Sequence, residues 1–271
     1  SFDADGFTIK SSDATWNASG STYVAWSWKA NGGTLTSNTD GDLRSVTVQA
    51  NQDAGFSSVY FLGGTTPYTA GHGLGVAPDV IISKRLGATV DWFVYHKDVG
   101  EDKYLYLNQA GTVQSSSTIA FTSVPTSSII TGGTYVGGST DYFINYCFAS
   151  KQGFSKFGSY QANANANGTF VYTGFKPAWV LRKCTTRAEP WMLMDNKRDP
   201  INPLGTILDP SSSAGDSTVL PDYEIDLLSN GFKMRSGTTS YGNHTNGVLY
   251  IYMAFAENPF VTSTGIPATA R

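Results

Sequence analysis

Two short runs hold the residue types that carbohydrate recognition uses. Trp92, Tyr95 and His96 lie in one, and Trp191, Asp195, Lys197, Arg198 and Asp199 in the other. Sugar C–H faces stack on Trp or Tyr rings while Asp, Asn and Arg satisfy hydroxyls, so an aromatic beside planar polar groups is the pattern to look for. The competing reading is architectural. A Trp repeated at the same point of two units is more often a core residue than a platform, and Asp195 with Arg198 makes a local ion pair.

Catalytic and metal chemistry find less to work with. Strand alternation along Glu224-Ile225-Asp226-Leu227-Leu228-Ser229 puts the two carboxylates on one face. A retaining glycosidase needs two carboxyl groups about 5 to 5.5 Å apart, and the place of a further Glu is taken by Leu228 or Ser229. The only other Glu residues are Glu101, Glu189 and Glu257. His72, His96 and His244 are the only histidines, and none has metal-ligand spacing to another His or Cys. Asp3-Ala4-Asp5-Gly6 opens like a calcium loop but lacks the later ligands. No Gly-x-Ser-x-Gly elbow occurs. The expectation is a non-enzymatic protein with no catalytic residue, no metal and no cofactor. Asn17-Ala18-Ser19, Asn167-Gly168-Thr169 and Asn243-His244-Thr245 match the glycosylation sequon, a match that arises by chance in an Asn/Ser/Thr-rich chain.

The elements that would position these residues are written twice. Gly55-Phe56-Ser57 returns as Gly153-Phe154-Ser155, an offset of 98. The run Gly75 to Lys84, with Pro78, returns as Gly174 to Lys183, with Pro177, and Trp92 returns as Trp191, both at an offset of 99. Periods of this kind decide architecture. A third block occurs three times, as Tyr23 to Trp28, Tyr142 to Ala149 and Leu249 to Ala256. Its alternation predicts strands, with Val24, Trp26 and Trp28, or Ile144, Tyr146 and Phe148, or Ile251, Met253 and Phe255, turned to the core of each copy. Gly6 to Ser11 likewise resembles Gly231 to Ser236, so the chain is read as opening on the closing strands of a preceding unit.

Composition agrees with strands joined by tight polar turns. Charged residues make up 14% and aromatics 13% of 271 residues, with 29 Gly, a profile of sheet and turn rather than helix. The net charge of −3, with 18 scattered Lys and Arg, lacks the concentrated basic stripe of a nucleic-acid binder. No apolar run reaches the roughly 20 residues that cross a bilayer, so membrane insertion is not expected. No secretory signal opens the chain, and Ser1 in place of Met fits a processed or excised piece. Two cysteines make no disulfide framework, and Cys147 is expected unpaired, packed as a small hydrophobe.

Four segments follow. Residues 1–52 are read as closing strands of a preceding unit plus a polar, Gly-rich connection with a strand candidate at Val46-Thr47-Val48. Residues 53–150 form unit 1, residues 151–260 form unit 2, and 261–271 form a polar, weakly ordered tail. Ala162 to Gly168 is a low-complexity loop, and Ser211 to Gly215 an exposed one.

Gly174-Phe175-Lys176-Pro177-Ala178-Trp179-Val180, Asp195 to Asp199 with Asn202-Pro203, Leu227 to Lys233, and Tyr250 to Glu257 resemble a repeated module of tailed bacteriophages. That module belongs to marine phage structural proteins, often labelled tail fibre or tail protein, and is described as a lectin-like β-sandwich. The resemblance covers most of residues 53–260, with Asp5 to Trp28 similar to the family's preceding closing segment. It implies an all-β chain of tandem antiparallel β-sandwich (jelly-roll, lectin-like) units on the virion surface. It also implies homo-oligomers, often trimers, other virion proteins as partners, and host cell-surface polysaccharide as ligand. Two alternatives stand beside attachment: a purely structural or capsid-decorating protein, and a glycan depolymerase. For the latter, Glu224-Ile225-Asp226 resembles the strand motif of jelly-roll β-glucanases, without that family's further Glu.

Overall fold

A computed structural model describes residues 3, 6–10, 17–30, 33–43, 45–64, 66–138, 140–218, 223–237 and 241–258. The expected polar tail at 261–271 lies outside the described residues, as does most of 1–16. The protein is all-β, and among the described residues its regular elements are nineteen strands. The first ten are β1 (Thr36–Asn38), β2 (Val46–Asn51), β3 (Phe56–Leu62), β4 (Tyr68–Gly71), β5 (Val80–Arg85), β6 (Phe93–His96), β7 (Lys103–Tyr106), β8 (Gln114–Ser115), β9 (Ile129–Gly132) and β10 (Tyr142–Phe148). The remainder are β11 (Ser155–Gln161), β12 (Phe170–Tyr172), β13 (Pro177–Cys184), β14 (Met192–Asp195), β15 (Thr206–Ile207), β16 (Ser217–Thr218), β17 (Ile225–Leu228), β18 (Gly231–Met234) and β19 (Leu249–Ala256).

The two halves repeat one strand order. In the first, β3-β10-β5-β6 form the middle of a sheet ordered β1-β2-β3-β10-β5-β6-β7-β8; in the second, β11-β19-β13-β14 form a sheet of their own. All pairings are antiparallel. A smaller sheet lies against each, β4-β9 in the first half and β12-β18-β17 in the second. Ladder register fixes the phase: Val80 sits opposite Phe148 and Trp179 opposite Phe255, so β5 and β13 are offset by 99 and β10 and β19 by 107. Ala149 N–H donates to Gly55 O and Ala256 N–H to Phe154 O, with the acceptors again 99 apart and the donors 107. The Gly-Phe-Ser match at 98 is therefore one residue out of structural phase: the ladder equates Gly55 with Phe154 and Phe56 with Ser155.

The stretch 31–52, read as a connection, supplies β1 and β2, which extend the first sheet beyond β3. Val46 and Val48 alternate into the core there, and that burial outweighs the polar composition around them. Tyr23 to Trp28, read as a strand, keeps the alternating exposure of one, and among the described residues it belongs to no assigned strand. Its tryptophans pack into the seam, which preserves the period of two.

Three apolar cores result. Val59, Phe61, Ile81, Tyr95, Phe143 and Cys147 meet Tyr68, Ala70 and Ile130 of the small sheet in the first half. Tyr160, Val180, Met192, Tyr250, Tyr252 and Ala254 meet Val171, Ile225, Phe232 and Met234 in the second. The third core lies between the halves, where the other faces of the two large sheets join: Phe56, Val80, Val94, Leu105 and Phe148 against Phe157, Trp179, Leu181, Trp191, Ile251, Met253 and Phe255. Phe148 and the set Ile251, Met253 and Phe255 thus line this shared seam, while the smaller set Asn145, Cys147, Tyr252 and Ala254 faces inward. The expected orientation is reversed. A strand buried on both faces gives no polar side to mark which way is in. Both cysteines are buried and free.

Candidate functional site

Core, seam and loop packing claim most of the residues singled out for carbohydrate recognition. Trp191 is 2% exposed, and its indole N–H donates to Tyr106 O at 2.8 Å across the two halves. Tyr95 lies in the first core, 5.7 Å from Phe121 between ring centres. His96 is 1% exposed; Asp98 N–H donates to its Nδ1 at 3.2 Å, so Nε2 carries the proton and faces Tyr252 O of the other half at 3.3 Å. Burial, the main cause, lowers its pKa from 6.5 to about 4. Asp195 is buried, accepts the Lys197 and Arg198 backbone N–H groups at 3.0 Å and pairs with Arg198 Nε at 2.7 Å. Asp199 accepts from Gly205 N and Thr206 N. These side chains hold a loop and a seam and offer no stacking face. Of the singled-out aromatic rings only Trp92 is half-exposed, with Lys84 Nζ 5.8 Å from its ring centre.

The aromatic surface that remains open lies on the same face of the first sheet as the seam, beyond its edge. Ladder register places Gln49, Ser58, Tyr146, Ile82, Val94 and Leu105 in one row across that face. Thr47, Tyr60, Ile144 and Lys84 make the next, and Leu62 with Tyr142 the third. The far end of the first row is covered by the second half, and the other rows are progressively bare. Tyr60 is 37% and Tyr142 49% exposed, and their rings stack 5.1 Å apart with planes 8° from parallel. Tyr146 lies nearly parallel to Phe56, at 6.5 Å. Flat rings on a sheet, bordered by the Gln49 amide and the Thr47 and Ser58 hydroxyls, have the composition of a sugar-stacking surface. Sequence reading missed Tyr60 altogether. Its signal was Tyr60 in phase with Ser58 and Leu62, but nothing in that phase says where the covering sheet stops.

At its inner margin this face runs into a crevice between the two sheets. Its volume is about 430 Å³, and Trp26, Trp28, Trp92, Tyr146, Trp179 and Leu181 are among its walls. Residues 24–30 cross the seam as a strap. Trp28 makes edge-on contacts with Phe148 at 5.9 Å, Trp179 at 5.9 Å and Phe255 at 5.4 Å, and Trp26 meets Trp179 at 6.5 Å. A second hollow of about 510 Å³ lies on the strap's other side, bordered by Lys29, Asn196 and Lys197.

Elsewhere several polar side chains have structural partners. Asp226 pairs with Arg235 at 3.3 Å. His72 is buried between Thr126 O and Leu74 N, with its pKa lowered by burial. Glu189, also buried, accepts from the Tyr250 hydroxyl at 2.8 Å, and His244 Nδ1 lies 3.8 Å from it. Lys183 spans the seam, donating to Ala110 O and Glu189 O, and burial lowers its pKa to about 8. Asn243 of one sequon is fully buried. Its amide donates to Asn163 Oδ1, Asn165 O and Ser236 O and so ties down the low-complexity loop. Among the described residues no cluster of three or more His, Cys, Asp or Glu could hold a metal ion.

Fold and site together define an all-β chain of two like halves with an open aromatic face beside their seam. Residues 1–259 match the family described as "Domain of unknown function (DUF7483)", and the chain belongs to that family. No curated protein and no solved structure matches it.

Proposed function

We propose that this chain is a bacteriophage virion structural protein, of a tail fibre or similar surface appendage, that displays two lectin-like β-sandwich units for attachment to host-surface glycans. The units correspond to residues 53–150 and 151–260, each a large sheet faced by a small one. The observation that carries the glycan part is the open face with its stacked Tyr60 and Tyr142 beside Gln49, Thr47 and Ser58. Trp92, under Lys84, lines the crevice next to it. In this reading the ligand is a neutral stretch of cell-surface polysaccharide that stacks on the rings. Homo-oligomerisation multiplies weak contacts through effective concentration, so no single deep pocket is needed. No covalent chemistry is involved.

The virion assignment rests on the resemblance of residues 53–260 to phage structural modules. A purely structural role is the second reading, favoured by the burial of Trp191, Tyr95 and His96. Binding of the intact protein to an array of bacterial surface polysaccharides separates the two, since a structural protein binds none.

A further inference from the structure

The hollow on the strap's far side joins aromatic walls to two unused cations. Trp26, Trp28, Trp179 and Phe154 line it, with Lys29 and Lys197 at its border. Trp26 and Trp28 are only half-buried by the seam, so part of each ring is left to the hollow. Its room comes from a difference between the halves. Lys97 N–H donates to Asp79 O and Asn196 N–H to Ala178 O, so Ala178, in the wall of the hollow, stands where the first half has Asp79. Asp79 carries a carboxylate held by Ser150 N–H at 2.8 Å and Lys97 Nζ at 2.9 Å. Ala178 has only a methyl group there. The resulting volume, about 510 Å³, falls within the roughly 300–1,000 Å³ of ligand sites.

Charge is unbalanced in the same place. Asp195 in the wall is paired with Arg198 at 2.7 Å, and Glu257, which accepts from the Asn196 amide at 2.8 Å, is paired with Lys176 at 2.8 Å. Among the described residues neither the Lys29 nor the Lys197 ammonium group has an ion-pair or hydrogen-bond partner. Aromatic faces stack on the C–H face of a sugar ring, and ammonium groups make charge-assisted hydrogen bonds to a carboxylate. A small free anion leaves the aromatic wall unused, and a neutral sugar leaves the lysines unused. We propose that the hollow binds a carboxylate-bearing sugar, a uronic acid unit of the host-surface polysaccharide. This rests on the glycan part of the reading above and adds a sugar class to it: neutral rings on the tyrosines, an acidic one in the hollow.

The test titrates the whole chain at low salt with trigalacturonate and trimannuronate, with their fully methyl-esterified forms and acetate as comparators. Calorimetry reads affinity, and tryptophan emission reports on the hollow. At least one acidic trimer should bind with a Kd of about 1 mM or tighter and change the emission, while its ester and acetate bind at least tenfold more weakly. Lys29→Gln combined with Lys197→Gln should weaken the acidic trimer at least tenfold and keep the melting temperature within about 2 °C, since neither ammonium group holds the fold. No acidic trimer bound at about 10 mM, equal binding of ester or acetate, or an affinity that the double Gln variant retains, overturns the inference. A parent chain that binds no array polysaccharide but takes the trimer through the lysines faults the attachment reading and leaves the hollow standing. Array binding without trimer binding faults the hollow alone.

Discussion

Trp191→Ala separates a seam residue from a ligand platform. The indole is almost wholly buried between the halves, and its N–H satisfies Tyr106 O. Truncating a buried Trp to Ala costs about 3–5 kcal/mol, and leaving the Tyr106 carbonyl unpaired adds about 1 kcal/mol. At roughly 2–4 °C per kcal/mol for a chain of this size, the melting temperature should fall by about 10–20 °C. Trp191→Phe keeps most of the packing and loses only the donor, so its cost should be about 1–3 kcal/mol. Differential scanning calorimetry measures both, and polysaccharide binding by the folded variants is read at low temperature. A fall of less than about 3 °C for Trp191→Ala, or loss of binding by a fully folded Trp191→Phe, would refute the placement of this residue.

Other perturbations follow from the same contacts. His96 has a folded pKa of about 4 against 6.5, so the unfolded chain takes up its proton first as pH falls. Its contribution is complete above about pH 6.5 and is lost towards pH 4. At about 1.4 kcal/mol per pKa unit this amounts to about 3 kcal/mol, read as the difference in acid sensitivity between the parent and His96→Gln by denaturant titration. Asn243→Ala removes the amide contacts to Asn163 Oδ1 and Asn165 O of the loop at 162–168, the one to Ser236 O, and the acceptor of Asn163 N–H, and should cost about 2–4 kcal/mol, with amide hydrogen exchange accelerated most in that loop. Gly242→Ala places a side chain at φ +101°, with its Cβ against the buried Arg182 guanidinium, and should destabilise by about 1–3 kcal/mol in thermal melts.

Repetition was the part of the fold that could be read from residues. Pro78 with Pro177 and Trp92 with Trp191 share the structural offset of 99, so the duplication behind the common strand order of the halves was legible in the sequence. Orientation was not. Alternation says that Ile251, Met253 and Phe255 share a face, but Tyr250, Tyr252 and Ala254 are also buried, and amphipathic reasoning requires one wet side. The same ambiguity hid the site. Trp92 and Trp191 are equivalent in sequence, yet the first half covers Trp191 while the second leaves Trp92 half-open, because cover is a property of how two sheets pack rather than of either repeat. Tyr60 and Tyr142 are open for that reason too: they lie past the margin of the covering sheet. The strap shows the converse case. Its alternation predicted a strand, and the structure keeps the alternation in a segment that belongs to no assigned strand among the described residues.

The glycan reading turns on the stacked tyrosines. Tyr60→Ala and Tyr142→Ala remove exposed rings and should change stability by no more than about 1 kcal/mol. On a bacterial surface-polysaccharide array the parent protein should bind at least one glycan, and the double variant should lose at least tenfold of that affinity while Trp191→Phe keeps it. Undiminished binding by the folded double variant, or no binding by the parent at any array concentration, would contradict the account.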